Sequence, residues 1–379
     1  MLGAGGLAGS CFVTAAAGSA IIVQALAKTF QPATKQSMAG ATPEVRMAYA
    51  GRGLAAVELQ NLGSMVGSMI AVVLSVPVLL IGALFPEAVK AALGTVSGWL
   101  QLPLMIVFLA ITWVQAKKWF FTLVTMVLAG GLGFYAMGRE ELMGNPASLA
   151  PLLTGIFVIP VTLMVLGHQG KLERLPKQTP EEITPSDEAN TIAPLGGILT
   201  AIVAGVGASS AVSVFAERFD EEDYLYMQAS AEGANNTLAL LLLVLIGAGH
   251  SSSAVAVQEM TGSTQVDLFA GFLLVCATGL GMGFGRELVK VITPTYVSTI
   301  GRINPKLIAC FVLIVSVLTV WYETGATGLL VMASAGALGY AAKMSFVPNQ
   351  ALLMILTGPV LVQKLGLARE LAIALGIGF

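Results

Sequence analysis

Long apolar runs, separated by short clusters of polar residues, recur along the whole 379-residue chain. They fall near residues 2–27, 54–84, 98–116, 119–137, 148–167, 194–216, 225–249, 264–300, 306–322, 325–342 and 347–366. Most approach or exceed the ~20 residues with which a helix crosses a bilayer core. The pattern predicts an all-α polytopic membrane protein of about 10–12 transmembrane or re-entrant helices. The run 264–300 is too long for one straight span and contains Arg286 and Lys290, so a span followed by an interfacial or re-entrant piece is expected there. The tail "LARELAIALGIGF" is too short to cross unaided.

Composition strengthens this reading. The chain is 56% hydrophobic and 11% charged, with a mean hydropathy of +0.84. Soluble domains carry about 25% charged residues; less than half that leaves too little polar surface to face water. The net charge of −2 offers no basic surface for nucleic acid. Cys11, Cys276 and Cys310 are far apart in apolar surroundings and read as packing residues. The opening "MLGAGGLAGSCFVTAAAGSA" has no basic region of the kind that starts a cleavable signal.

Two polar segments interrupt the pattern. Residues 28–53 carry Lys28, Lys35, Arg46 and Arg52 against the single acid Glu44. Residues 168–190 carry Lys171, Arg174 and Lys177 with several prolines and acids. Lys and Arg counts set orientation, so both segments are placed on the cytoplasmic side of a multi-pass cell-membrane protein. The second also divides the chain into a first membrane repeat (1–167), a linker (168–193) and a second membrane repeat (194–379).

The two halves contain matching strings. Ala129-Gly-Gly-Leu-Gly-Phe134 aligns with Ala335-Gly-Ala-Leu-Gly-Tyr340, and Leu153-Thr154-Gly155 with Leu356-Thr357-Gly358. Ser19-Ala20 and Val23-Gln24 align with Ser253-Ala254 and Val257-Gln258. The order is the same in both halves, which predicts an internal duplication of the kind common in transporters. Under this alignment nothing in the first half answers residues of about 194–234, so either the start is assigned late or a segment has been lost.

Three polar groupings stand out against the apolar background. In "AGVGASSAVS" (204–213), Gly205 and Gly207 expose backbone while Ser209, Ser210 and Ser213 add hydroxyls. Unwound backbone is tolerated in a bilayer only where it is buried or lines a cavity, and a broken helix here would aim N–H groups and a positive dipole end at an anion. Close helix packing through small residues is the other reading. In "AEGANN" (231–236), Glu232, Asn235 and Asn236 share a helix face, followed by Thr237. An ionisable group at mid-membrane costs at least about 2.5 kcal/mol and usually serves function. Carboxylate and amide oxygens suit Na⁺, and a carboxylate can carry a proton, so Glu232, Asn235 and Thr237 are candidate ion-coupling residues. A helix cap at the membrane interface is the alternative for Glu232. In "GHSSSAVAVQE" (249–259), His250 adjoins Ser251–Ser253, with no Asp placed to complete a catalytic triad. The serines echo residues 208–214, as if two hairpin tips faced one cavity; Ser252, Ser253 and their first-half counterpart Ser19 join the candidates, while His250 reads as interfacial. The glycines of "GLGMGFG" (279–285), like Gly63 and Gly67, fit small-xxx-small helix contacts, not a dinucleotide fingerprint.

The strings "YAGRGLAAVE" (49–58), "PLLTGIFVIP" (151–160), "GGILTAIVAGVGASSAVSVF" (196–215) and "AEGANNTLALLLLVLIGAGHSSSAVAV" (231–257) resemble the large membrane subunit of tripartite tricarboxylate transporters, the TctA type, and in particular its archaeal stand-alone branch. Glu232, Ala234, Asn235, Asn236, Gly205 and Gly207 match that family's motifs; Ala204 and Ala231 stand where prolines are expected. The resemblance implies a secondary active transporter that moves a small organic anion, di- or tricarboxylate-like, by alternating access coupled to Na⁺ or H⁺. The expected substrate-binding set is Gly205, Gly207, Ser209, Ser210, Asn235, Asn236, Ser252, Ser253 and Ser19. No metal or cofactor is expected beyond Na⁺ as a coupling ion. Cations are scarce in the spans, so helix N-termini, hydroxyls, amides and a co-bound cation would have to balance a carboxylate. A solute-binding protein and a small membrane subunit are the implied partners besides the bilayer, and a homodimer is open. A lipid-linked substrate transporter or flippase would instead use Arg286 and Lys290 on headgroups. An intramembrane enzyme would gather acids or histidines at one depth, whereas Glu58, Glu232, Glu259 and His250 are scattered, so no enzyme is expected.

Overall fold

The computed structural model describes residues 4–30, 42–114, 116–138, 149–167, 176–179, 181, 183–202, 211–212, 218–247, 252–261, 267–300 and 302–374; among them every regular element is helical. In chain order these are α1 (Ala4–Thr29), α2 (Pro43–Tyr49), α3 (Gly53–Leu84), α4 (Pro86–Val114), α5 (Trp119–Met137), α6 (Ala150–Gly167), α7 (Asp187–Ile202), α8 (Glu221–Ile246), α9 (Ser252–Thr261), α10 (Leu268–Ile300), α11 (Pro305–Met344), α12 (Asn349–Leu352), α13 (Met354–Lys364) and α14 (Ala368–Ala374). Seven of these (α1, α3, α5, α6, α8, α10 and α11) are long and apolar enough to cross a membrane.

The chain folds into two compact units, and each draws helices from both sides of the 168–190 segment. The first holds α1–α3, α4 up to Gln101, and α7–α10. The second holds α4 from Leu102, then α5, α6 and α11–α14.

In the first unit α8 is the central helix. Asp220 caps it, accepting from the N–H groups of Glu222 (3.1 Å) and Asp223 (2.8 Å), and Glu221, Glu222 and Asp223 place negative charge at the positive end of the helix dipole. The cap starts the helix four residues before its apolar run. Gly247, with φ 70°, ends it in the left-handed conformation that glycine adopts without penalty. Leu240 to Leu245 are buried on every side, the signature of a helix surrounded by others. Helix α3 lies against α8 through Gly63, Ser64 and Gly67, whose small faces meet the backbone of Tyr226, Ser230 and Gly233. Helix α1 meets α10 in the same manner: a Cβ at Gly18 would lie 2.5 Å from the Thr278 carbonyl oxygen, and one at Gly285 2.9 Å from Ser19 Cα. The glycine pairs 63/67 and 281/285 therefore both seat helices; Gly279 meets only side-chain atoms, of Val72 and Ser68, and Gly283 faces open space.

Helix α10 is continuous, with Pro294 inside it, where a break into two pieces had been expected. Arg286 does not interrupt it because its guanidinium reaches Glu58 on α3. Leu280, Phe284 and Val291 form an exposed apolar face, opposite the buried Gly281, Gly285 and Val289, as a lipid-facing helix requires. The two polar segments placed together on the cytoplasmic side also meet. Thr179 N–H donates to the Gly51 carbonyl (3.0 Å), Gly53 N–H donates to Gln178 Oε1 (2.7 Å), and Arg52 pairs with Glu181 (2.5 Å).

In the second unit, Met126, Leu152, Ile156, Val331, Leu352 and Ile355 form the core. Helix α6 contains a widened π turn, Thr154–Val158, just before Pro160, whose ring nitrogen cannot donate back to the preceding turn. Helix α11 opens at the Asn304 cap and breaks at Gly325 (φ 67°, ψ −157°), which divides the two apolar runs 306–322 and 325–342.

Candidate functional site

Helix α8 carries polar side chains toward several neighbours through its middle. Toward α3, Thr237 donates to the Gly233 carbonyl (3.0 Å) and shares a 2.7 Å hydrogen bond with Ser68 Oγ. Since Thr237 has one proton to give, Ser68 is the donor in that pair. One turn earlier Ser64 Oγ donates to the Ala229 carbonyl (3.2 Å), and on the same helix Tyr226 OH and Ser230 Oγ are both buried without a partner. Toward α9, Ser253 Oγ donates to Asn236 Oδ1 (3.2 Å), while Asn236 Nδ2 is buried and unpaired.

The third direction is toward α1 and α2. Lys28 Nζ, in the last turn of α1, lies 3.2 and 3.4 Å from the two carboxylate oxygens of Glu232. Glu232 is 11 residues beyond Glu221, about 16 Å along α8 at 1.5 Å per residue. The pair borders a small, partly open cleft whose lining also includes Glu44, Gln60 and Gln228. Gln60 Nε2 donates to Thr29 Oγ1 (2.9 Å). Glu44 is 6% exposed; burial pushes its carboxyl above the ordinary 4.5, with its own backbone N–H, Thr42, Lys28 and Arg46 pulling the other way. Beyond the cleft, Arg46 pairs with Glu221 (2.9 Å) and Arg52 with Glu222 (2.5 Å) at the start of α8. Among the described residues no three His, Cys, Asp or Glu side chains gather as metal ligands; Glu44 and Glu232 are the two carboxylates that line this cleft.

The family model described as the tripartite tricarboxylate transporter TctA family matches residues 5–354. The chain belongs to the TctA family. No curated protein and no solved structure shows a significant match. A transporter family removes the intramembrane-enzyme alternative and agrees with a multi-pass membrane location.

In this TctA-family protein the expected site residues divide into three groups. Gly205, Gly207, Ser209 and Ser210 lie outside the described residues, as do Ser251 and His250. Asn236, Thr237 and Ser253 are brought together around α8, and Glu232 and Asn235 lie half-buried on the same helix; Ser252 is the first residue of α9. Ser19 is committed to helix packing, donating to Gly281 O (2.7 Å) on α10 and sharing its own Ala15 carbonyl (3.1 Å). Sequence reasoning did not foresee Lys28 on Glu232, the Ser68–Thr237 bond, or Asn61 on α3, which is fully buried with neither amide atom partnered. Signals existed: Glu44 stood as the one acid in a basic segment, and Ser64 and Ser68 follow directly after Gly63 and Gly67.

Proposed function

We propose that this TctA-family chain is the membrane-spanning part of a secondary active transporter for a small organic anion of the di- or tricarboxylate class, working by alternating access with Na⁺ or H⁺ as the coupling ion. Asn236 carries the substrate part of this reading. It sits in the most enclosed spanning helix, its Oδ1 is taken by Ser253, and its Nδ2 donor is left over. A buried donor without a partner costs about 1–3 kcal/mol, and a carboxylate oxygen would satisfy it. Tyr226 OH, Ser230 Oγ and the Asn61 amide are further unpartnered polar groups in the same unit, which supports a polar ligand there. The family supports the tricarboxylate class, and a solute-binding protein with a small membrane subunit are the partners that a tripartite system calls for. The headgroup reading draws no comparable support, because Arg286 is held by Glu58 and Lys290 by Glu287.

The second unit lends weight to an internal duplication. Helix α5 packs on α13 with Gly130 at Gly358, and α11 packs on α6 with Gly336 near Gly155. In the sequence alignment Gly130 corresponds to Gly336 and Gly155 to Gly358, so the two helix pairs repeat one contact.

The binding part is tested by thermal melts of the purified chain in detergent with a panel of di- and tricarboxylates. A dose-dependent rise in melting temperature that Asn236→Ala abolishes is expected. No stabilisation by any member of the panel would overturn the reading.

A further inference from the structure

The cleft beside α8 holds two carboxylates and one ammonium. Lys28 contacts both oxygens of Glu232, at 3.2 and 3.4 Å. That geometry fills the position a coupling cation would take on Glu232. Glu44, which lines the same cleft, has Oε2 buried and unpartnered, while Thr42 bonds to its carboxyl group. An ionised carboxylate so placed has no hydrogen-bond donor on that oxygen, and burial of this kind is normally relieved by neutralisation.

Each element packed on α2 contributes to the surroundings of Glu44. Helix α1 supplies Lys28, already paired. Helix α3 supplies the neutral Gln60, while Arg52 at its start is held between Glu181 and Glu222. Helix α8 supplies Glu221, Tyr224 and Glu232, and Arg46 on α2 itself pairs with Glu221. Among the described residues every cation near Glu44 therefore has another carboxylate in hand. We propose that this cleft is a proton-binding site in which Glu44 carries the proton and Lys28 occupies Glu232 in place of a metal cation, so that the protein couples to H⁺ and not to Na⁺. The coupling part rests on the transporter reading above; the binding site itself does not.

The sign follows from burial. Glu44 is raised in the folded chain, so its contribution to stability is fully present below its ordinary 4.5 and is lost as pH rises through the folded value. Thermal melts of the full chain in detergent, from pH 4 to pH 9, compare wild type with Glu44→Gln, which mimics the protonated form. The variant's melting temperature is expected to match wild type at the acid end and to exceed it increasingly as pH rises. In wild type, NaCl and KCl at equal concentration are expected to give the same melting temperature, whereas Lys28→Met, which opens Glu232, is expected to be stabilised by Na⁺ over K⁺. A constant difference between Glu44→Gln and wild type across pH, a Na⁺-specific rise in wild type, or no Na⁺ effect in Lys28→Met would each overturn the proposal. Should Glu44→Gln fail to fold, infrared spectroscopy of wild type gives an independent reading. Among the described residues Glu44 is the one carboxylate residue that is buried. A protonated-carboxyl C=O band that persists above the ordinary 4.5 and titrates away on alkalinisation is expected, and its absence would overturn the site. Uptake measurements separate the two readings: a Glu44-dependent pH effect without carboxylate uptake would remove the transport reading and leave the proton site, while Na⁺-driven uptake would remove the proton coupling and leave transport.

Discussion

Gly67→Ala probes the contact that sets α3 against α8 and thereby positions Thr237, Ser68 and Gln60. A Cβ at residue 67 would lie 2.7 Å from the carbonyl carbon and 2.9 Å from Cα of Ser230. These are backbone atoms of a helix, so no change of rotamer clears them and α3 must move away. Overpacking of this kind costs about 1–3 kcal/mol. The helix preference of alanine over glycine returns up to about 1 kcal/mol. Displacement also stretches the 2.7 Å Ser68–Thr237 bond, and hydrogen bonds between membrane helices are worth about 0.6 kcal/mol on average. The expected net effect is a loss of about 1–2 kcal/mol, read as a lower melting temperature in detergent and a lower SDS fraction at the unfolding midpoint. Gly283→Ala is the internal control, since nothing lies within 4 Å of its Cβ position and it carries only the alanine gain. If Gly67→Ala proved as stable as Gly283→Ala, the close α3–α8 approach would be wrong, and with it the register that brings the polar groups together.

Three other outcomes follow from the same geometry. Ser68→Ala and Thr237→Val are each expected to cost about 0.6–1.7 kcal/mol, and the double variant less than the sum, because both remove one bond; additive losses in a double-mutant cycle of thermal or SDS unfolding would show that the pair does not interact. Arg286→Met is expected to destabilise by no more than about 1 kcal/mol, since its partner Glu58 is 46% exposed and solvent screens the pair; a much larger drop in melting temperature would place that pair in a dry interior. Gly325→Ala is expected to cost about 1–3 kcal/mol, because φ 67° with ψ −157° is a conformation that side-chain-bearing residues rarely adopt; unchanged melting behaviour would mean that α11 is not broken there.

The apolar periodicity revealed most spans because in lipid the hydrophobic length of a helix is fixed by the solvent: α5 and α6 lie within about two residues of their runs, and α3 begins one residue early. Boundaries drifted where polar caps extended a helix beyond its greasy part, as Asp220 does for α8. The α10 run misled because Arg286 was read as an interfacial charge, whereas its partner Glu58 lies 228 positions away in sequence. The same limit applies to the site. The helical spacing of Glu232, Asn235 and Asn236 could be read from one segment, and Asn236 does meet Ser253 only 17 residues on. Lys28 on Glu232 and Ser68 on Thr237 join residues 204 and 169 positions apart, which no local pattern encodes. Glycine spacing at 63/67 and 281/285 was legible because close approach leaves a stereochemical mark that does not depend on the partner's identity.

Transport itself is the central claim, and uptake by the reconstituted chain tests it most directly. Purified protein in proteoliposomes is given radiolabelled di- and tricarboxylates under an imposed proton or sodium gradient, with wild type compared against Asn236→Leu, which removes the spare amide donor while keeping an apolar helix. Because a tripartite system feeds substrate through a solute-binding protein, the assay is run with and without one supplied on the outside. The account predicts gradient-dependent accumulation of at least one tricarboxylate by wild type and at least a tenfold lower rate in Asn236→Leu at equal insertion. Wild-type uptake no faster than in empty vesicles under every gradient, or full-rate uptake by Asn236→Leu, would contradict it.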